Sequence, residues 1–169
     1  MKYSRMICAL ALTAITLSAG SATAHDERHR QEVVRAFLLG VNETPSVSTP
    51  ATGRLRAVID EDSGLITFTL SYEGLTAAPL FAHIHFGERH VAGGVMVFFC
   101  GGGGKPACPA APAEITGSIM AENVIGPAAQ GISAGEFAKV LAAIRSGASY
   151  ANVHTTNFPT GEIRGQVIP

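Results

Sequence analysis

Residues 54–72 constrain the fold most. In residues 54–60, RLRAVID, Leu55, Ala57 and Ile59 fall on one face of an extended chain, and Arg54, Arg56 and Val58 fall on the other. The turn sequence EDSG follows, and residues 65–72, LITFTLSY, return with Ile66, Phe68 and Leu70 opposite Thr67, Thr69 and Ser71. A period of two side chains belongs to a strand and excludes a helix, so this stretch is a hairpin with one buried face. Such a hairpin is marginal by itself and requires further strands or a helix against that face.

The remaining chain supplies them. Residues 33–39 read as a first strand ending at Gly40. Residues 42–53 are a polar loop with Pro45 and Pro50. Residues 80–86 and 114–124 read as strands, and VMVFF at 95–99 as a strand covered on both faces. Residues 149–167, SYANVHTTNFPTGEIRGQV, read as a second hairpin around the turn NFPTG. One helix is expected at 133–147. Ser133 and Glu136 have capping-box spacing, Phe137, Val140, Leu141 and Ile144 make an apolar stripe, and Gly147 is placed to end it. The expected architecture is a two-sheet antiparallel sandwich, Greek-key or immunoglobulin-like, with that one helix.

The first residues belong to targeting. Lys2 and Arg5 precede an apolar run at 6–17 too short to span a bilayer, and Ala22-Thr23-Ala24 is a small-residue cleavage signal. Residues 1–24 are expected to be removed as a signal peptide, leaving a charged, flexible tail at 25–32 and one domain at 33–169. The product would be exported, periplasmic or extracellular. Loss of Lys2 and Arg5 makes the net charge of −1 more negative by two, and no basic run remains, so nucleic acid is not the expected partner. Cys100 and Cys108 remain, and an oxidising compartment favours a disulfide between them. The intervening GGGGKPA is no phosphate loop, because it lacks the closing Gly-Lys-Ser/Thr and a following helix.

Polar chemistry gathers in two places. FAHIHF at 81–86 sets His83 and His85 on one strand face, roughly 6–7 Å apart by the strand rise. In the last hairpin Asn152 and His154 share a face, as do Glu162, Arg164 and Gln166 in the returning strand. If the two stretches meet, His83, His85 and His154 form a three-imidazole site suited to copper or zinc, with Glu162 available to orient a ring. The same residues have a structural reading, in which Asn152, Glu162 and Arg164 form a polar network that holds strand register and the histidines are satisfied donors. His90 reads as a solvated loop residue. His25, at the predicted mature terminus, could offer an α-amine and an imidazole to one metal, but it lies in the charged tail beside His29. No catalytic residue is assigned: there is no Gly-x-Ser-x-Gly elbow, and both mature cysteines are expected to be paired.

Residues 37–45 (FLLGVNETP), Ala51-Thr52-Gly53, HIHFG at 83–87 and VHTTNFPTGEIRGQ at 153–166 together resemble a CHRD domain, the module repeated in chordin and present in secreted microbial proteins. The resemblance runs in order over about residues 33–168 and is most specific in the terminal segment. It implies a β-sandwich in an exported setting with a binding or structural role, without established catalysis, and an envelope or extracellular protein as the expected partner. There is a weaker, architectural similarity to copper/zinc superoxide dismutases, which also carry a His-x-His strand. It implies copper ligands among His83, His85 and His154 and conceivable redox activity, but the long zinc-binding loop of those enzymes has no counterpart here.

Overall fold

The computed structural model describes residues 31–169. The predicted signal peptide, His25 and His29 lie outside the described residues. Eight strands and one helix follow in order: β1 Glu32–Leu39, β2 Thr52–Asp60, β3 Leu65–Glu73, β4 Pro79–Phe86, β5 Gly94–Cys100, β6 Ala113–Ile119, α1 Phe137–Arg145, β7 Ser149–Thr155 and β8 Ile163–Gln166. The strands that alternate most cleanly in sequence, β2 and β3, alternate between buried and more accessible residues in the structure. They pair in register from Thr52↔Glu73 to Asp60↔Leu65.

The strands form one antiparallel sheet, ordered β5-β4-β7-β8-β1-β2-β3-β6, and not the two facing sheets of a sandwich. The sheet curls until its edge strands β5 and β6 come alongside each other, giving a nearly closed barrel. Closure reduces the exposed edge that an open sheet would present. Between those edges the chain after β6 helps cover β5, with Ile125 N–H donating to Met96 O at 2.9 Å. Phe68 of β3 and Phe99 of β5 meet across the interior with ring centroids 4.6 Å apart.

The interior is filled by the inward residues of every strand, including Leu38, Leu55, Ile59, Leu70, Ile84, Val153 and Ile163. Helix α1 adds Val140, Leu141, Ala143 and Ile144. It is shorter than its expected span of 133–147. Glu136 takes the N-cap position, and its carboxylate accepts the Ser133 N–H at 2.6 Å, which is half of the anticipated capping box. Gly147 follows the helix in the left-handed conformation. Cys100 and Cys108 are disulfide-bonded, with Cα atoms 5.0 Å apart.

Two pairings between strands distant in sequence position the polar residues. β4 pairs with β7 (His83↔Asn152, His85↔Tyr150), and β7 pairs with β8 (Asn152↔Arg164, Tyr150↔Gln166). Because β8 also lies against β1, Gly165 sits where a Cβ would collide with the Phe37 carbonyl, so only glycine fits that crossing.

Candidate metal centre

His83, His85 and His154 stand on the outer face of the barrel wall, opposite the side that carries Ile84, Ala151 and Val153 into the core. An outer face would normally be wet. Here the loops before β5 and before β8 roof it, and the three histidines are only 4, 8 and 7 % exposed. One ligand nitrogen from each lies within 4.8 Å of the others. His83 is central, with ring centroids 4.5 Å from His85 and 4.6 Å from His154, while His85 and His154 are 6.3 Å apart.

The hydrogen bonds orient the rings. His85 Nδ1 lies 2.7 Å from Gly93 O, and His154 Nδ1 lies 3.0 Å from Pro159 O. A carbonyl only accepts, so each Nδ1 carries the proton and each Nε2 presents a lone pair. Those two Nε2 atoms and His83 Nδ1 are buried without a hydrogen-bond partner. Burial of unsatisfied nitrogen costs stability unless something else occupies the lone pair.

The site also holds these imidazoles neutral. Burial, followed by the neighbouring His85 and His154, lowers His83 to about 2 against the opposing pull of the Asn152 side chain. Burial, helped by His154 and Arg164, lowers His85 to about 4 against the opposing pull of the Gly93 carbonyl and the Asn152 side chain. Burial lowers His154 against the Pro159 carbonyl. Neutral imidazole is the metal-binding form. A metal about 2.0–2.1 Å from each nitrogen requires separations of at most about 4.2 Å. Drawing the cluster inward by less than about 1 Å meets that limit.

Aromatic residues wall the site. Tyr150 stacks flat on His85, with centroids 4.6 Å apart and planes within 5°. Phe98 meets His83 edge-on at 4.9 Å, and Phe81 lies beside His83 and His154. Behind Tyr150, the Arg164 guanidinium lies 3.4 Å from the centre of the phenol ring. Arg164 also donates to the Glu88 and Val91 carbonyls, both at 2.9 Å, while Tyr150 Oη accepts the Gly93 N–H at 3.1 Å. Arg164 and Tyr150 therefore hold the loop whose Gly93 carbonyl orients His85.

Asn152 is buried between the strands bearing His83 and Arg164, with Oδ1 unpartnered. Glu43 is buried nearby. Burial raises its carboxyl to about 7, against the lowering effect of Arg164 and hydrogen bonds from Thr44 and Asn152. Gly161 has φ 128°, and a Cβ there would strike the Glu43 carboxylate.

Glu162 does not orient a histidine. Its carboxylate accepts Thr49 Oγ1 at 2.7 Å, Thr76 N–H at 2.9 Å and Thr155 Oγ1 at 2.7 Å, tying together three segments beside the site. Backbone carbonyls take the orienting role instead. The sequence places Glu162 on the His154 face only if β8 extends back to it. The strand begins at Ile163, so the alternation does not reach Glu162. His90 is exposed on the roofing loop with φ 63° and is not among the three clustered ligands.

Sequence reasoning missed Tyr150 and Glu43. Tyr150 was detectable, because the alternation that pairs Asn152 with His154 also includes residue 150. Glu43 lies in a polar loop without a periodic signal.

The CHRD domain model matches residues 34–167, nearly all of the described chain. The chain belongs to the CHRD domain family. Neither a curated protein nor a solved structure is matched. For this CHRD domain, membership supports a binding or structural role, and the disulfide is compatible with export. In this member of the family the clustered histidines come from the middle and the end of the matched region, His83 and His85 from HIHFG and His154 from the terminal VHTTNFPTGEIRGQ segment.

Proposed function

We propose that this CHRD domain is an exported metal-binding module, in which His83, His85 and His154 hold one copper or zinc ion. The observation that carries the reading is the set of three buried, unpartnered imidazole nitrogens on one converging cluster. Register-holding alone does not account for them, because a structural network satisfies its lone pairs. The two Nδ1–H bonds to backbone carbonyls match the outer contacts that fix metal-bound histidines. Three neutral imidazoles without a thiolate favour copper over zinc by intrinsic affinity.

The test is metal content after purification without a histidine tag or chelator, with copper and zinc titrations of wild type and the His83→Ala/His85→Ala variant. About one ion per chain is expected for wild type, with loss in a variant whose circular dichroism shows a folded β-protein. Failure of wild type to take up either metal, or equal uptake by the folded variant, overturns the proposal. A superoxide assay on the loaded protein then separates metal carriage from redox catalysis.

A further inference from the structure

The same outer face continues past β8 onto β1, β2 and β3, where its character changes. Arg35 of β1 lies directly across from Arg56 of β2, and Phe37 lies across from Arg54. Arg54 and Arg56 are two residues apart on one strand, so the three guanidiniums form a cluster on three adjoining outward positions. All three arginines are exposed. Arg54 lies over Phe37, with its guanidinium carbon 5.2 Å from the ring centre.

Among the described residues no carboxylate forms an ion pair with any of them. Glu73 is diagonal to Arg54 and accepts from Thr52, while Glu114 lies two strands away. Like charges directly across a strand pair are destabilising. Their concentration here, in a chain whose net charge is −1, calls for an anion.

Two adjoining cavities run over this face. One of about 390 Å³ is lined by Phe37, Ile168 and the three arginines, and one of about 260 Å³ by Thr67, Thr116 and Gly117. They share Arg56 and Thr69, making one trough across β1, β2, β3 and β6. Three strand-to-strand steps give it a length of roughly 15 Å.

We infer that this trough binds an acidic polysaccharide, with Arg35, Arg54 and Arg56 pairing its carboxylate or sulfate groups and the threonine row meeting its hydroxyls. The backbone groups of β1, β2 and β3 are engaged with neighbouring strands on both sides, so a peptide cannot add here as a strand. Only side chains read the ligand, and they are three guanidiniums, a row of hydroxyls, the Gln166 amide, the Phe37 ring and Ile168. Anionic lipid surfaces are bound by apolar residues that insert beneath basic ones. Here the two exposed apolar side chains stand at the β1 end of the trough, Phe37 under Arg54 and Ile168 beside Arg35, while Thr67, Thr69, Ser71 and Thr116 put hydroxyls along the rest of its length. Guanidinium forks fit planar carboxylates and sulfates bidentately.

The test is retention and titration of the metal-free protein, in EDTA, on polygalacturonate, dextran sulfate and neutral dextran. Anionic phosphatidylglycerol vesicles and poly-glutamate serve as competing occupants. Binding to one or both anionic glycans is expected, weakening with added salt and reduced at least about tenfold in the Arg35→Gln/Arg54→Gln/Arg56→Gln variant. The polygalacturonate and dextran sulfate arms separate carboxylate from sulfate recognition. A second variant, Arg56→Glu, faces Arg35 with an opposite charge and should lose binding without losing thermal stability, so a folding defect cannot imitate the result. Absence of glycan binding, binding by either variant as tight as that of wild type, or preference for the vesicles or poly-glutamate overturns the inference. Since EDTA removes any metal, the outcome is independent of the histidine site.

Discussion

Two regions of one sheet face differ sharply although the same alternation produces both. The row His85↔Tyr150↔Gln166 continues through the β8–β1 register to Phe37↔Arg54. At one end of the row His85 and Tyr150 are buried, and at the other Phe37 and Arg54 are exposed. Strand period decides only which side of the wall a residue takes. Whether that side is wet depends on the loops above it. Arg164 holds the roofing loop over β4 and β7, and among the described residues no equivalent roof covers the arginines of β1 and β2. Burial turns histidines into neutral ligands at one end, while exposure leaves arginines as charged anchors at the other.

The largest effect expected from breaking this contrast is Arg164→Ala. It removes the cation stacked on Tyr150, both loop carbonyl contacts and the positive neighbour of Glu43. Loss of one partner in a buried charged network should cost about 3–5 kcal/mol in chemical denaturation. Metal uptake by the chains that remain folded should also fall, because the Gly93 carbonyl loses its support.

The histidine end should also impose its own pH dependence on the metal-free protein. Its histidines have folded pKa values below the unfolded value of about 6.5, so the unfolded chain binds more protons below that pH. Stability should therefore fall as pH drops from about 6.5 towards 4, where His85 titrates, and continue to fall towards the lower pKa of His83. Glu43, raised to about 7, works in the opposite direction because its folded form keeps a proton the unfolded form releases. Three histidines outweigh one carboxyl. Urea midpoints across this range should show the decline, and Glu43→Gln should make it steeper. A flat profile would mean the histidines are hydrated and not sealed.

The smallest effect belongs to the open end. Arg56→Thr removes an exposed guanidinium facing Arg35, and the denaturation midpoint should change by no more than about 0.5 kcal/mol equivalent, towards higher stability. A loss comparable to that of Arg164→Ala would show that Arg56 is an integral part of the sheet and would erase the contrast.

Much of this was legible locally. The β2–β3 hairpin follows from alternation and turn chemistry, and His83 and His85 share a face by spacing alone. The Cys100–Cys108 pair was expected from cysteine arithmetic. The single curled sheet was not legible, because it depends on β4 meeting β7 and β8 meeting β1. Those registers join residues far apart in sequence, and periodicity within a strand says nothing about its neighbour. Glu162 was misplaced for a related reason: a bend at the start of β8 carries its carboxylate to Thr49, Thr76 and Thr155.

By itself the sequence determined the strands, their inward and outward residues, and the family through the HIHFG and VHTTNFPTGEIRGQ segments, because these follow from local stereochemistry and order along the chain. Tertiary structure alone decided that His154 joins His83 and His85, that their free nitrogens are sealed from water, and that the arginines are not. Convergence and desolvation arise from strand pairing and loop cover across long sequence separations, where local pattern carries no distance information.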